Sequence, residues 1–297
     1  MNAEIRDLLS ALEREGYVAD PAIATAVFLA RALHKPLLVE GDAGVGKTEL
    51  AKVLARLLGT ELIRLQCYEG LDVQTALYEW DYPRQMLRLR MAEGRGESPK
   101  ELEAQIFTRD YLLERPLLRA LTHAGAAPVL LIDEIDRADD GFEAFLLELL
   151  SDFQVTVPEI GTIRAQEPPH VVLTSNRTRE LGDALRRRCL YLYIEHPSFE
   201  KEVQIIRSRC PEAGARLAQD VGRFLKALRE RNLVKPPGVA ETLDWTRALL
   251  SLRQEALEPD LVSQTLGCLL KDRHDLETVT PTEIAALLTR ALEEAQA

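Results

Sequence analysis

Gly41-Asp42-Ala43-Gly44-Val45-Gly46-Lys47-Thr48 fits G-x-x-x-x-G-K-[ST] at every fixed position. Leu37 to Glu40, just before it, is a short apolar run that reads as a buried strand. After it, Leu50, Ala51, Leu54, Leu57 and Leu58 recur at helical spacing until Gly59 stops the pattern. A glycine-rich loop between a strand and a helix is the setting that makes this motif a phosphate-binding loop. Its glycines lack Cβ, so the backbone can curl and aim successive N–H groups at phosphate oxygens. The following helix adds unpaired donors and a positive dipole end. Gly41, Asp42, Ala43, Gly44, Val45, Gly46, Lys47, Thr48 and Glu49 are therefore the candidate nucleotide cradle. Lys47 is suited to the β- and γ-phosphates, and the Thr48 hydroxyl to Mg²⁺.

A second stretch supports the first. Val129-Leu130-Leu131-Ile132 reads as a fully buried, parallel-type strand, and Asp133 and Glu134 leave its C-terminal end. Open α/β sheets place their ligands at that end. Asp133 is suited to hold Mg²⁺ through its water shell, and Glu134 to polarise the water that attacks the γ-phosphate. Acidic turn residues after a strand are common, and only the preceding P-loop gives these two a catalytic reading. Asp140 and Glu143 resemble a capping box opening a helix. Phe153 to Arg164 then reads as a hairpin turning at Pro158 to Gly161. His170 to Ser175 is another buried strand, ending in Asn176. Asn176 either forms a turn or, beside the carboxylates, orients the attacking water. Arg186, Arg187 and Arg188 precede the last strand candidate, Leu190 to Ile194. A triple arginine reads as solvated surface or as a group offered to a neighbouring subunit's nucleotide.

The chain has 297 residues, 46% hydrophobic and 29% charged, a globular balance able to build a real core. Its formal net charge of −11 counts against general nucleic-acid binding, which needs a basic surface. Cys67, Cys189, Cys210 and Cys268 form no C-x-x-C, an argument for a reducing compartment and against a zinc site or disulfide framework. No apolar run is long enough to span a membrane, and the expected location is cytoplasmic.

Helices are expected over Ile5 to Leu12 and over Ile23 to Leu33. Cys67 to Arg119 has no simple strand–helix rhythm. It holds Tyr78, Trp80 and Tyr82, then a run in which Arg84, Arg88, Arg90 and Arg95 interleave with glutamates as far as Glu103. The arginines invite a nucleic-acid reading, but the interleaved glutamates favour a solvated, mixed-charge helix or insertion. Beyond Glu195-His196-Pro197 the chain is helical, with helices expected over Phe199 to Arg209, Ala213 to Glu230, Ala240 to Ala256 and Asp260 to Lys271. Thr280, Pro281 and Glu283 start a last helix. The expected fold is α/β, a parallel sheet flanked by helices over residues 1–196 with a smaller all-helical domain over 197–297.

GDAGVGKTEL, LLIDEIDRA, VTVPEIGTIRA, VVLTSN and RRRC, in this order before a helical region, resemble the AAA+ ATPases and within them the MoxR-like branch. The resemblance covers roughly residues 20–255. It implies ATP and Mg²⁺ as cofactors and ATP hydrolysis as the activity. The hairpin is similar to the pre-sensor-1 hairpin, and residues 67–119 fall where related ATPases carry an insertion. Asn176 matches sensor 1, and Arg188 matches the arginine finger better than Arg187 or Arg186. MoxR-like proteins often carry an arginine in a G-x-S-P-R element; this chain has Gly238-Val239-Ala240-Glu241-Thr242, with Lys235 or Arg247 as weak substitutes. DWTRALLSLR resembles a branch associated with maturation of metalloenzymes such as carbon monoxide dehydrogenase. The resemblance further implies a homo-oligomeric ring, expected as a hexamer, a partner with a von Willebrand A domain, and a target enzyme activated or loaded with metal.

Rival readings are a nucleic-acid-directed AAA+ motor, disfavoured by the acidity, and an enhancer-binding transcription activator, whose GAFTGA-type loop is absent. A P-loop small-molecule kinase needs no paired Asp-Glu, sensor Asn or trans arginine. A binding-only switch would dispense with Glu134.

Overall fold

The computed structural model describes residues 2–93, 99–254 and 256–293. The strands are β1 (Leu37–Gly41), β2 (Leu62–Gln66), β3 (Tyr78–Trp80), β4 (Leu112–Glu114), β5 (Val129–Asp133), β6 (Gln154–Val157), β7 (Gly161–Arg164), β8 (His170–Ser175) and β9 (Leu190–Ile194). The helices of the first two-thirds are α1 (Ala3–Arg14), α2 (Pro21–Ala32), α3 (Lys47–Leu58), α4 (Val73–Leu77), α5 (Tyr82–Glu93), α6 (Pro99–Ile106), α7 (Pro116–Thr122), α8 (Asp140–Asp152) and α9 (Asp183–Arg188). Six more follow: α10 (Phe199–Arg209), α11 (Ala215–Arg229), α12 (Val239–Ser251), α13 (Pro259–Thr265), α14 (Arg273–Thr278) and α15 (Pro281–Glu293).

The central sheet has five strands in the order β2-β5-β8-β1-β9. The pairs β2–β5, β5–β8 and β8–β1 are parallel, with Gln66 opposite Asp133 and Glu40 opposite Ser175. β1 and β5 are buried along their whole length, as strands covered on both faces must be. The edge strands alternate instead: Ile63 and Leu65 are buried on β2 while Arg64 and Gln66 are exposed. Leu38, Leu130, Ile132 and Leu173 form one core with Leu117 and Leu121 of α7 and Phe142, Leu146 and Leu149 of α8. The intervening residues Leu37, Val39, Leu131 and Val172 are buried too, facing the opposite side by the period of two. There Val27 of α2 and Leu54 of α3 share a crevice with Leu37 and Val172. The fold is therefore the expected α/β arrangement, a parallel sheet between helices followed by a helical C-terminal region.

The chain divides into two compact units. One comprises residues 1–8, 21–40 and 48–193; the other comprises 9–20, 41–47 and 194–297. In the first, the stretch without sequence rhythm packs Leu71, Leu77, Trp80 and Leu112 into the same core as the central sheet. β3 and β4 pair antiparallel, Tyr78 opposite Glu114, and the Trp80 ring meets Phe107 edge-on at 5.3 Å. Arg95 and Glu97 lie outside the described residues. β6 and β7 form a hairpin whose Val155, Val157 and Ile163 enter the core, with Gly161 at φ 94°. In the second unit Phe224 packs on Trp245 at 5.4 Å, and the Trp245 indole donates to Thr265 Oγ1 at 2.9 Å. The single helix expected over Asp260 to Lys271 is shorter. α13 ends at Thr265, Leu266–Cys268 tightens to 3₁₀, and Asp272 caps a further helix, α14.

Candidate functional site

In the first compact unit the geometry is set at the C-terminal ends of β5 and β8 and the start of α3. Thr48 is in the first turn of α3, and its hydroxyl donates to Asp133 Oδ1 at 3.0 Å. The same oxygen accepts from Thr174 Oγ1 on β8 at 2.5 Å, and that hydroxyl in turn accepts from the Glu134 amide at 2.9 Å. Asp133 Oδ2 accepts from Arg64 of β2, with Nε at 3.0 Å. Asp133 is 2% exposed, a buried carboxylate compensated by hydroxyls and a guanidinium.

Glu134, the next residue, is in the left-handed region, φ 56° and ψ 50°. For a residue with a Cβ that conformation costs about 1 kcal/mol or more and is held only by surrounding structure. Here it turns the Glu134 side chain away from the strand toward three donors. Asn176 Nδ2 lies 3.3 Å from Oε1, Gln66 Nε2 lies 3.2 Å from Oε2, and Arg137 Nε lies 2.8 Å from Oε2. The tip of β8 is fixed by Asp136, which accepts from the amides of Asn176 at 3.2 Å and Thr178 at 2.9 Å and from the Thr178 hydroxyl at 2.7 Å. Burial alone would raise the Asp136 carboxyl, but these bonds outweigh it and hold the pKa below the ordinary value. Cys67, whose amide donates to the Asp133 carbonyl at 2.8 Å, is pushed up to about 12, first by burial and then by Asp133, Asp136 and Glu134. It is an inert thiol.

Residues 41–47 belong to the second unit. Gly44 and Gly46 have φ of 78° and 100°, and Lys47 is buried with its ammonium donating to the carbonyls of Gly41 at 2.8 Å and Asp42 at 2.6 Å. α12 begins against this loop: the amides of Val239 and Ala240 donate to the Gly44 carbonyl at 2.9 and 3.4 Å. Glu241 Oε2 accepts from the Gly238 amide at 3.0 Å. Asp42 Oδ2 lies 3.3 Å from His196 Nε2. Burial first, and then Arg229, lower the His196 pKa. Thr242, where the G-x-S-P-R element has arginine, is buried and bonded to Glu202, which Arg229 also grips at 2.6 and 2.8 Å.

Among the expected site residues, Thr48, Asp133, Glu134 and Asn176 are linked by hydrogen bonds, directly or through Thr174. The Glu49 carboxylate turns along its own helix toward Lys52 and Arg56. Arg188 is exposed at the end of α9 and donates to Ser151 Oγ at 2.7 Å and to the Ala184 carbonyl, not to that group. Arg186 lies over the Tyr191 ring at 5.5 Å. Arg64, Gln66, Arg137 and Thr174 join the bonded group although no motif role falls on them. The alternation along β2 puts Arg64 and Gln66 on one face, the sequence sign of their shared direction. Among the described residues no cluster of three or more His, Cys, Asp or Glu could hold a metal, and no helix is long and apolar enough to cross a membrane.

Comparison with known proteins gives the family and the fold. The family described as AAA domain (dynein-related subfamily) matches residues 36–189, just over half of the chain. An "uncharacterized protein" of Staphylococcus epidermidis is 22% identical over 257 residues, covering 83% of this chain and 89% of its own length. Another, of Staphylococcus aureus strain USA300, is 23% identical over 227 residues, 74% of this chain and 77% of the relative. The crystal structure of "a putative ATPase" from Cytophaga hutchinsonii shares the fold, with TM-score 0.51, 13% identity, and coverage of 97% of this chain and 94% of that one. The chain belongs to the AAA domain family, dynein-related subfamily, and its activity is ATP hydrolysis.

Proposed function

We propose that the chain is a MoxR-like AAA+ ATPase that binds ATP with Mg²⁺ and drives the remodelling or maturation of a partner enzyme from within a homo-oligomeric ring, a hexamer. The observation that carries the chemical half is the chain of bonds from Thr48 through Asp133 and Thr174 to Glu134 and Asn176. It supports the reading because a hydroxyl and a carboxylate suited to a cation are joined there to a second carboxylate suited to polarise water. A threonine hydroxyl and a carboxylate suit Mg²⁺, which keeps several waters and shares its remaining positions with phosphate oxygens. The loop fits a polyphosphate: its glycines adopt left-handed conformations, and the buried Lys47 ammonium rests on two neutral carbonyls that anionic oxygens would replace.

In this reading Gly41 to Glu49 hold the phosphates, and Lys47 neutralises the β- and γ-oxygens. Thr48 and Asp133 would hold the metal, which when bound would spread the charge developing on the γ-phosphate. Glu134 takes a proton from the attacking water as Asn176 holds the carboxylate and the water in line. Arg188 serves a neighbouring subunit's site; its exposure at the end of α9 suits it to leave Ser151 for a partner. Residues 197–297 form the lid, residues 1–196 the ATPase core with an insertion at 67–119, and the hairpin at 154–164 a substrate-facing device. No arginine stands at Thr242, so α12 communicates with the loop through its main chain at Gly44.

The maturation role rests on the sequence likeness, including DWTRALLSLR, and the partner it implies carries a von Willebrand A domain. Cytoplasmic location follows from the same reading. A Glu134→Gln chain, which holds ATP without turning it over, is the test. Used as bait with ATP it should retain a von Willebrand A protein and its client enzyme, and release both with ADP. Retention of nucleic acid instead, with ATPase stimulated by DNA or RNA, would replace this reading with a motor.

A further inference from the structure

The Asp133 carboxylate has no vacant lone pair. An ionised carboxylate offers about four acceptor directions, and four donors take them: the hydroxyls of Thr48 and Thr174 on Oδ1, and Nε and Nη2 of Arg64 on Oδ2. A divalent cation or its shell waters can reach Asp133 only if one donor yields. Thr174 is 1% exposed and also accepts the Glu134 amide, so it has nowhere to go. The Thr48 hydroxyl can keep donating to Asp133 while its oxygen faces a cation. Arg64 differs from both. Its side chain is 49% exposed on an edge strand, and its Nη2 already donates to Gln66 Oε1, a second anchor on the same face.

We propose that Arg64 is a positioning residue that stands in for the cation at Asp133 in the metal-free state and gives up that carboxylate when Mg²⁺ arrives. The inference rests on the reading of Thr48 and Asp133 as the metal end of the site. Arg64 holds the buried Asp133 carboxylate in place through two hydrogen bonds until the metal takes their place. It also competes with the metal, so it sets how much Mg²⁺ the site needs. A guanidinium that stays on Asp133 to orient it toward the metal would have the opposite effect on affinity.

The test is calorimetric titration of ADP at a series of free Mg²⁺ concentrations, on the full chain. Arg64→Gln should lower the Mg²⁺ concentration that gives half of the metal-dependent gain in ADP affinity by about tenfold, the scale of one charge-assisted hydrogen bond at a half-exposed position. Arg64→Lys keeps the charge, loses the double contact, and should shift the midpoint the same way but less. It also serves if Arg64→Gln does not fold. A midpoint that is unchanged or raised in whichever variant folds overturns the proposal and leaves the nucleotide reading standing. A wild-type chain whose ADP affinity ignores Mg²⁺ overturns both.

Discussion

Gly238→Ala tests whether the start of α12 is shaped by the phosphate loop. Gly238 has φ −88°, an ordinary value for any residue, so conformation does not require glycine there. Space does. A Cβ at Gly238 would lie 2.8 Å from the Ala43 carbonyl oxygen and 2.8 Å from both Cα and C of Gly44. Comfortable carbon contacts begin near 3.5 Å, so the turn must retreat by roughly 0.7 Å. That movement takes the Val239 amide, now 2.9 Å from the Gly44 carbonyl, to the limit of hydrogen bonding. The lost bond is worth about 1 kcal/mol and the residual overlap about 1–3 kcal/mol. For a chain of this length the sum lowers Tm by about 3–7 °C. Scanning calorimetry reads the shift, and ADP titration should show weaker binding because Gly44 is in the loop. Gly214→Ser is the control: nothing lies within 4 Å of its added Cβ, and serine is a better helix cap. If Gly238→Ala melts within about a degree of wild type with unchanged ADP affinity, the close approach of Gly238 to the loop does not constrain α12.

Lys47→Ala should lose ATP and ADP binding, since the loop loses its ammonium; calorimetry with unchanged affinity would remove Lys47 from the site. Arg188→Ala should bind ATP normally and hydrolyse it about 10³-fold more slowly, and mixing with Lys47→Ala should restore activity through rings pairing an intact loop with an intact Arg188. Wild-type turnover, or no rescue, argues against a trans finger, and Arg187→Ala settles the register. Asp136→Asn should cost about 1–3 kcal/mol at neutral pH. Because the folded pKa of Asp136 is depressed, its stabilisation is present above the unfolded value near 4 and fades as pH falls through the folded one. The gap in Tm between wild type and Asp136→Asn should therefore narrow below about pH 4, and a constant gap would show that Asp136 acts only by shape.

Much of this was legible because each piece is contiguous in sequence. Leu37 to Leu58 encodes strand, loop and helix in one run. Val129 to Glu134 announces both a doubly covered strand and the carboxylates at its end, and Gln154 to Arg164 carries its own turn. What escaped depends on neighbours distant in the chain. Arg64 and Gln66 alternate outward on β2. Only the pairing of β2 with β5, which sets Gln66 opposite Asp133, turns that face toward the carboxylates. Residues 67–119 lack periodicity because short pieces, such as the three-residue strands β3 and β4, are held by Trp80 and Phe107 rather than by an amphipathic repeat. The break in the helix expected over Asp260 to Lys271 has local signals, Gly267 and Asp272, that the apolar spacing outweighed.

In the proposed mechanism Glu134 activates water at a site that binds nucleotide without its help. Glu134→Gln keeps size and shape and removes the base, so ATP binding and phosphate release measured on the same preparation separate the two roles. Glu134→Gln should bind ATP with wild-type affinity and release phosphate slower by about a hundredfold or more. Phosphate release close to the wild-type rate would contradict it and assign the base to another residue.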